Sequence, residues 1–171
     1  MKKSGRTLKQ RLYRLGQLPS RVARARYFRG HGVHSPYVYS IVRQVFMQRN
    51  LLSARHDLCD ELLALGAPRR RAVQLQNLMI HCGYATYAIN ALPTECPYAI
   101  LTSEVGEAET LALVEKAAAQ RSTLILARPY DCRERTELCR CIVERHKCTS
   151  VDNRGYLILF NNHLPKQHFK L

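Results

Sequence analysis

Three short apolar runs, "YAILT" (Tyr98 to Thr102), "TLILA" (Thr123 to Ala127) and "YLILF" (Tyr156 to Phe160), punctuate the second half of the chain. Runs this short and this continuously apolar suit strands buried on both faces. Between the first two, Ala108, Leu111, Val114 and Ala118 recur at helical spacing, which predicts a helix over 107–120. Its leading glutamates sit where the helix dipole favours them. After the second run, Leu138, Cys139, Ile142 and Val143 predict a helix over 131–145. Upstream, "QLQNLMIHC" (Gln74 to Cys82) reads as a buried strand and "YATYAINAL" as a helix that stops at Pro93. Strands alternating with helices give an α/β fold, with a mostly parallel sheet and right-handed crossovers. Asn153, Arg154 and Gly155 separate two strand-like runs and predict an antiparallel hairpin at residues 148–160.

The first third is helical by pattern. Leu8, Leu12 and Leu15 recur at i, i+4 and i+7 among basic residues, predicting a cationic amphipathic helix, with Ser20 placed to cap a second short one. In "GHGVHSPY" (Gly30 to Tyr37), Ser35 reads as an N-cap and Pro36 as the first helical residue. Val38, Ile41, Val42, Val45 and Phe46 then form a core-facing stripe. Leu58, Leu62 and Leu65 mark a further helix closed by Gly66 and Pro68. The organisation expected is a basic helical arm, residues 1–29, joined to an α/β domain, residues 30–171.

Charge is what sets the arm apart. Before Asp57 there are 13 Lys and Arg residues and no Asp or Glu, whereas from Asp57 onward 14 basic residues nearly cancel 13 acidic ones. A concentrated cationic segment favours polyanions, because neutralising phosphates releases counterions without reading sequence. Lys2, Lys3, Arg6, Lys9, Arg11, Arg14, Arg21, Arg24, Arg26 and Arg29 are the candidate contacts to nucleic acid or an acidic protein. Tyr27 and Phe28 lie among them and suit either base stacking or packing beneath the arm. A solvated basic helix that only packs on the domain is the competing reading.

No apolar run approaches the roughly 18 residues of a membrane span, and the basic start lacks a central apolar block, so a cytoplasmic protein is expected. Seven cysteines are then expected as reduced thiols. Cys132, Cys139, Cys141 and Cys148 form C-x6-C-x-C-x6-C, which lacks the close pairs of zinc sites and suits small core residues instead.

"GHGVHSPYVYSIVRQVF" resembles the N-terminal signature of a bacterial family of class I S-adenosylmethionine-dependent methyltransferase-like proteins, in which an HG-V/I-HSP-aromatic motif opens a helix. "NRGYLILFNNHLPKQHFKL" resembles that family's closing hairpin, and Tyr98 through Arg145 follows its fourth strand, helix, fifth strand, helix order. The resemblance covers about residues 30–66 and 98–171 and implies a reduced Rossmann-like methyltransferase fold. It would keep the first, fourth and fifth strands and the hairpin.

The family holds its cofactor on a glycine-rich turn after the first strand, where backbone must approach ligand closely. Here "MIHCGYATYAINAL" is the best match, making His81, Cys82 and Gly83 the candidate cofactor residues. Glu104 stands near the family's Asp after the fourth strand, while Arg128 reverses the charge found after the fifth. Only 15 residues, 83–97, separate the turn from the next strand, too few for a further strand–helix–strand–helix. The expectation is a degenerate, non-catalytic member with no cofactor, acting in binding. The alternative is a methyltransferase using S-adenosylmethionine, with His31 or His34 as substrate contact or general base. Lost strands would bare an edge that a homodimer could cover.

Overall fold

The computed structural model of the chain describes residues 8–16, 18–23, 32–162 and 164–171. The basic arm contributes α1 (Leu8–Gly16) and α2 (Leu18–Ala23). On α1, Leu12 and Leu15 are exposed, and α2 starts ahead of Ser20, which therefore lies inside the helix rather than capping it. Helix α3 (Pro36–Ile41) begins as expected, with Pro36 at its first turn and Ser35 Oγ accepting the Val38 N–H at 3.4 Å. It runs on into a π-helical turn, Val42–Phe46, and the whole predicted stripe from Val38 to Phe46 is buried. Helix α4 (Asp57–Ala64) buries Leu58 and Leu62, while Leu65 stays exposed just past its end.

Residues Gln74 to Cys82 are not a strand. They belong to α5 (Arg69–His81), which begins directly after Pro68 and is buried continuously from Ala72 to Met79. A helix enclosed all round shows no apolar stripe, and its polar members stay inside because each serves neighbouring backbone. Gln76 Oε1 accepts the Cys59 N–H at 3.0 Å. Asn77 accepts from Leu52 N–H and donates to Asn50 O, each at 2.9 Å. Gly83, at φ 71°, ends this helix in a left-handed conformation that suits glycine. The expected helix over "YATYAINAL" is absent as well: that stretch holds only the short strand β1 (Ala88–Ile89).

The other strands are β2 (Tyr98–Leu101), β3 (Thr123–Ala127), β4 (Ser150–Asp152), β5 (Tyr156–Leu159) and β6 (His168–Lys170). Helices α6 (Glu107–Gln120) and α7 (Arg133–Arg145) fall between β2 and β3 and between β3 and β4. The six strands form one mixed sheet in the order β1-β2-β3-β5-β4-β6, with β5 antiparallel to both its neighbours and every other pairing parallel. The fold is therefore α/β, with the predicted hairpin between β4 and β5. Strand β6, pairing Phe169 with Val151, went unforeseen because His168–Lys170 carries only one apolar residue.

Helices cover both sheet faces. Tyr98, Ile100, Ile125, Ile158 and Phe160 face α3, α4 and α5, while Ala99, Leu101, Leu124, Leu126 and Leu159 face α6 and α7. Each fully buried aliphatic side chain contributes roughly 1.5–3 kcal/mol. Helix α6 has the predicted bounds but a different inward face: Thr110 and Ala117 are buried, whereas Ala108 and Ala118 are exposed. Among the described residues, no helix is long and apolar enough to cross a membrane.

Past α7, His146 is buried, with Nε2 3.3 Å from Thr149 O, and burial holds its pKa below the usual imidazole range. Unfolding restores an ordinary value of about 6.5, so below that pH the unfolded chain takes up protons first and stability falls. His146→Gln is expected to flatten the stability curve from about pH 7 to pH 5, by at most about 1.4 kcal/mol per pH unit. Urea midpoints measured across that window read the slope directly, and unchanged slopes would refute the assignment.

Candidate functional site

The carboxyl ends of β2 and β3, the first turn of α5 and the β4–β5 turn enclose a cavity of about 380 Å³. Open α/β sheets bind ligands beyond the carboxyl ends of their strands, in pockets of roughly 300–1,000 Å³. Leu62, Leu65, Leu75, Ile100 and Ala127 supply its apolar wall. Arg71, Arg128, Arg154, Glu104 and Asp131 supply its charge.

The arginines are held by structure around them. Arg71 Nη1 donates to Gln74 Oε1 at 2.8 Å, and its guanidinium lies 5.5 Å from the centre of the Tyr156 ring. Gln74 is fully buried, donates to Phe46 O at 2.8 Å and accepts from Tyr156 Oη at 3.1 Å. Asn153 Nδ2 donates to the same Tyr156 oxygen at 2.8 Å. Gly155 makes room for this arrangement, because a Cβ there would lie 2.5 Å from Arg71 Nε.

Arg128 and Arg154 both adopt left-handed backbone, at φ 51° and 55°. The Arg128 N–H donates to Gly155 O at 2.9 Å, tying the end of β3 to the hairpin turn. Arg154 Nε donates to Leu171 O at 3.0 Å, and its N–H to Asp152 Oδ1 at 2.9 Å. Tyr130 donates its hydroxyl proton to Asp152 Oδ2. Behind the rim, buried Arg135 reaches Thr102 O and Thr110 Oγ1 at 3.4 Å each, and no carboxylate among the described residues lies within ion-pair distance of it.

The candidate cofactor residues do not come together. Glu104 lines the cavity at the carboxyl ends of the strands, but the residue after Gly83, Tyr84, bonds Thr123 Oγ1 at the amino end of β3 at 2.7 Å. A glycine turn after the first strand is thereby replaced by a helix end. His81 Nε2 lies 3.4 Å from Ser40 Oγ, whose proton is committed to Tyr37 O at 2.9 Å, so the serine is no activated nucleophile. Cys82 Sγ sits 3.7 Å from Tyr37 Oη, and burial pushes the pKa values of both groups up, which keeps a thiol rather than a reactive thiolate. These contacts seat α3 on the end of α5.

His34 is exposed, and His31 lies outside the described residues. Of the arm's candidate contacts, Lys9 is exposed on α1. Lys2, Lys3, Arg6, Arg24, Arg26 and Arg29, and the side chains of Arg11, Arg14 and Arg21, lie outside the described residues. Cys132 caps α7, Cys139 is buried with its thiol pushed up to about 11, and Cys148 donates to Asn162 O at 2.9 Å. No group of three or more His, Cys, Asp or Glu residues that could hold a metal ion occurs among the described residues.

Sequence reasoning missed Arg71 and Arg154. The one local signal near Arg71 is Pro68, a residue that favours a helix start, ahead of "RRRAVQL". No family model, curated protein or solved structure matches the chain.

Proposed function

We propose that this chain is a non-catalytic binding domain, a reduced and degenerate methyltransferase-like fold of Rossmann type, that engages anionic partners. The observation that carries this reading is the separation of the would-be cofactor residues. Glu104 stands at the carboxyl ends of the strands, whereas Gly83 adjoins Tyr84, which bonds the amino end of β3, so the glycine turn that would cradle S-adenosylmethionine is not beside the cavity. What supports the fold assignment is the order of β2, β3 and the antiparallel β5; the first strand implied by the resemblance is instead helix α5, and the two-residue β1, Ala88–Ile89, takes the place beside β2.

Both cationic regions favour the same class of partner. The arm concentrates Lys and Arg without acidic residues, and the cavity gathers three arginines, of which Arg128 stands where the resembled family carries acidic side chains. In this reading the arm contacts the phosphates of nucleic acid or the carboxylates of an acidic protein, and His34 and Ser35 belong to a helix start.

Calorimetric titration with S-adenosylmethionine and its demethylated product tests the non-catalytic part. No saturable heat is expected at millimolar cofactor. Saturable binding that Glu104→Ala abolishes would restore the methyltransferase reading, with Glu104 as a cofactor contact.

A further inference from the structure

We propose that the arginine-lined cavity is a binding site for a small phosphate monoester, of the size of a sugar phosphate or nucleoside monophosphate. The inference rests on the reading of the chain as a binding domain for anions, and it adds a ligand class and a second site distinct from the arm.

Three guanidinium groups reach one cavity from three different segments: Arg71 from the first turn of α5, Arg128 from the end of β3 and Arg154 from the hairpin turn. Two carboxylates, Glu104 and Asp131, face them. Asp131 lies 3.7 Å from Arg128 Nη1, and Asp152 behind it accepts from Tyr130 and the Arg154 backbone. Buried Arg135 adds a further positive charge behind Thr102 at the rim. Four guanidinium groups, those of Arg71, Arg128, Arg154 and Arg135, stand against the three carboxylates of Glu104, Asp131 and Asp152, a balance that favours an anion. Guanidinium presents a planar fork of donors that matches phosphate oxygens.

The site is organised in advance. Gln74 and the Tyr156 ring orient Arg71, and Leu171 O anchors Arg154. Arg128 and Arg154 occupy left-handed backbone, which fixes the direction in which each side chain leaves the chain. Orienting charged side chains before binding lowers the entropy lost on binding. The remainder of the cavity fits the rest of such a ligand: Leu65 and Ala67 offer accessible apolar surface to its body, while Ser103 and Glu104 can pair with hydroxyl or amino groups.

The test is calorimetric titration of the full chain at about 150 mM salt, which screens loose attraction to exposed charge. The probes are adenosine monophosphate, ribose 5-phosphate, inorganic phosphate and adenosine. Both esters are expected to bind more tightly than inorganic phosphate, and adenosine is expected not to bind. Preference between the two esters then assigns the body of the ligand.

Arg71→Gln and Arg154→Gln are each expected to weaken ester binding at least about tenfold, as loss of a charged hydrogen bond implies. Gly155→Ala leaves every charge in place while its methyl, 2.5 Å from Arg71 Nε and 3.1 Å from Cδ, displaces that side chain, and it is expected to weaken binding in the same direction. Circular dichroism confirms folding of each variant. Equal binding of adenosine, inorganic phosphate as tight as the esters, or affinity unchanged in folded Gly155→Ala and Arg154→Gln chains would overturn the proposal. Ester binding lost on neutralising the arm instead would overturn this site while leaving the domain an anion binder, and the cofactor titration tests that broader reading separately.

Discussion

Gln74→Ala is expected to destabilise the fold by about 3 kcal/mol, a large share of the roughly 5–15 kcal/mol that holds a domain of this kind. Gln74 is fully buried and makes three bonds at once: from Arg71 Nη1, from Tyr156 Oη and to Phe46 O. Alanine leaves a buried carbonyl without its donor and a buried phenol without its acceptor, each costing about 1–3 kcal/mol. It also opens a void beneath the π-helical turn. Phe46 O belongs to that turn, so the loss loosens the helix that packs against α5 as well as the arginine above it. Urea denaturation reads the effect directly. Glu115→Ala, at an exposed position on α6, serves as the control and is expected to stay within about 0.5 kcal/mol of the parent chain. A loss under 1 kcal/mol for Gln74→Ala would mean that the buried network does not hold the site.

The same glutamine explains where the sequence misled. Strands β2, β3 and β5 were legible because short apolar runs bounded by polar residues have few other homes in a small α/β domain. Ser35 and Pro36 marked the start of α3 by local chemistry alone, and the Val38 to Phe46 stripe followed. Helix α5 was not legible as a helix, since Gln74, Gln76 and Asn77 interrupt its apolar residues and every one of them is buried. Their reason for being inside lies in loops distant in sequence, at Phe46, Cys59, Asn50 and Leu52. That tertiary demand leaves no periodic trace.

Misreading α5 also moved the candidate site. With Gln74 to Cys82 taken as a strand, Gly83 fell at a strand's carboxyl end, where a cofactor turn belongs. As the end of a helix it falls instead beside Tyr84, which bonds the amino end of β3, away from the cavity. Of the cavity's lining, only Glu104 stands among the candidate residues of the sequence, and Arg128 only as a reversed charge. Arg71 and Arg154 are brought to it by the packing of α5 against the hairpin, which sequence spacing does not encode. The charge division was fully legible, because it needs no fold.

The arm's binding to polyanion is expected to show the largest single effect. If it engages about five phosphates of single-stranded RNA, affinity falls by about 10²-fold between 50 and 200 mM salt, following a log–log slope near −3.5. Replacing Lys2, Lys3, Arg6, Lys9, Arg11 and Arg14 together with glutamine should remove most of that slope and weaken binding by at least about tenfold at low salt. These residues lie ahead of the α/β domain, so its denaturation midpoint is expected to stay unchanged.

The most direct measurement is the fluorescence anisotropy of a labelled mixed-sequence RNA titrated with the full chain across that salt range, beside the six-glutamine variant. A steep salt slope in the parent chain that collapses in the variant is the predicted result. Absent binding, or binding indifferent to salt and to the loss of the arm's charge, would contradict the account.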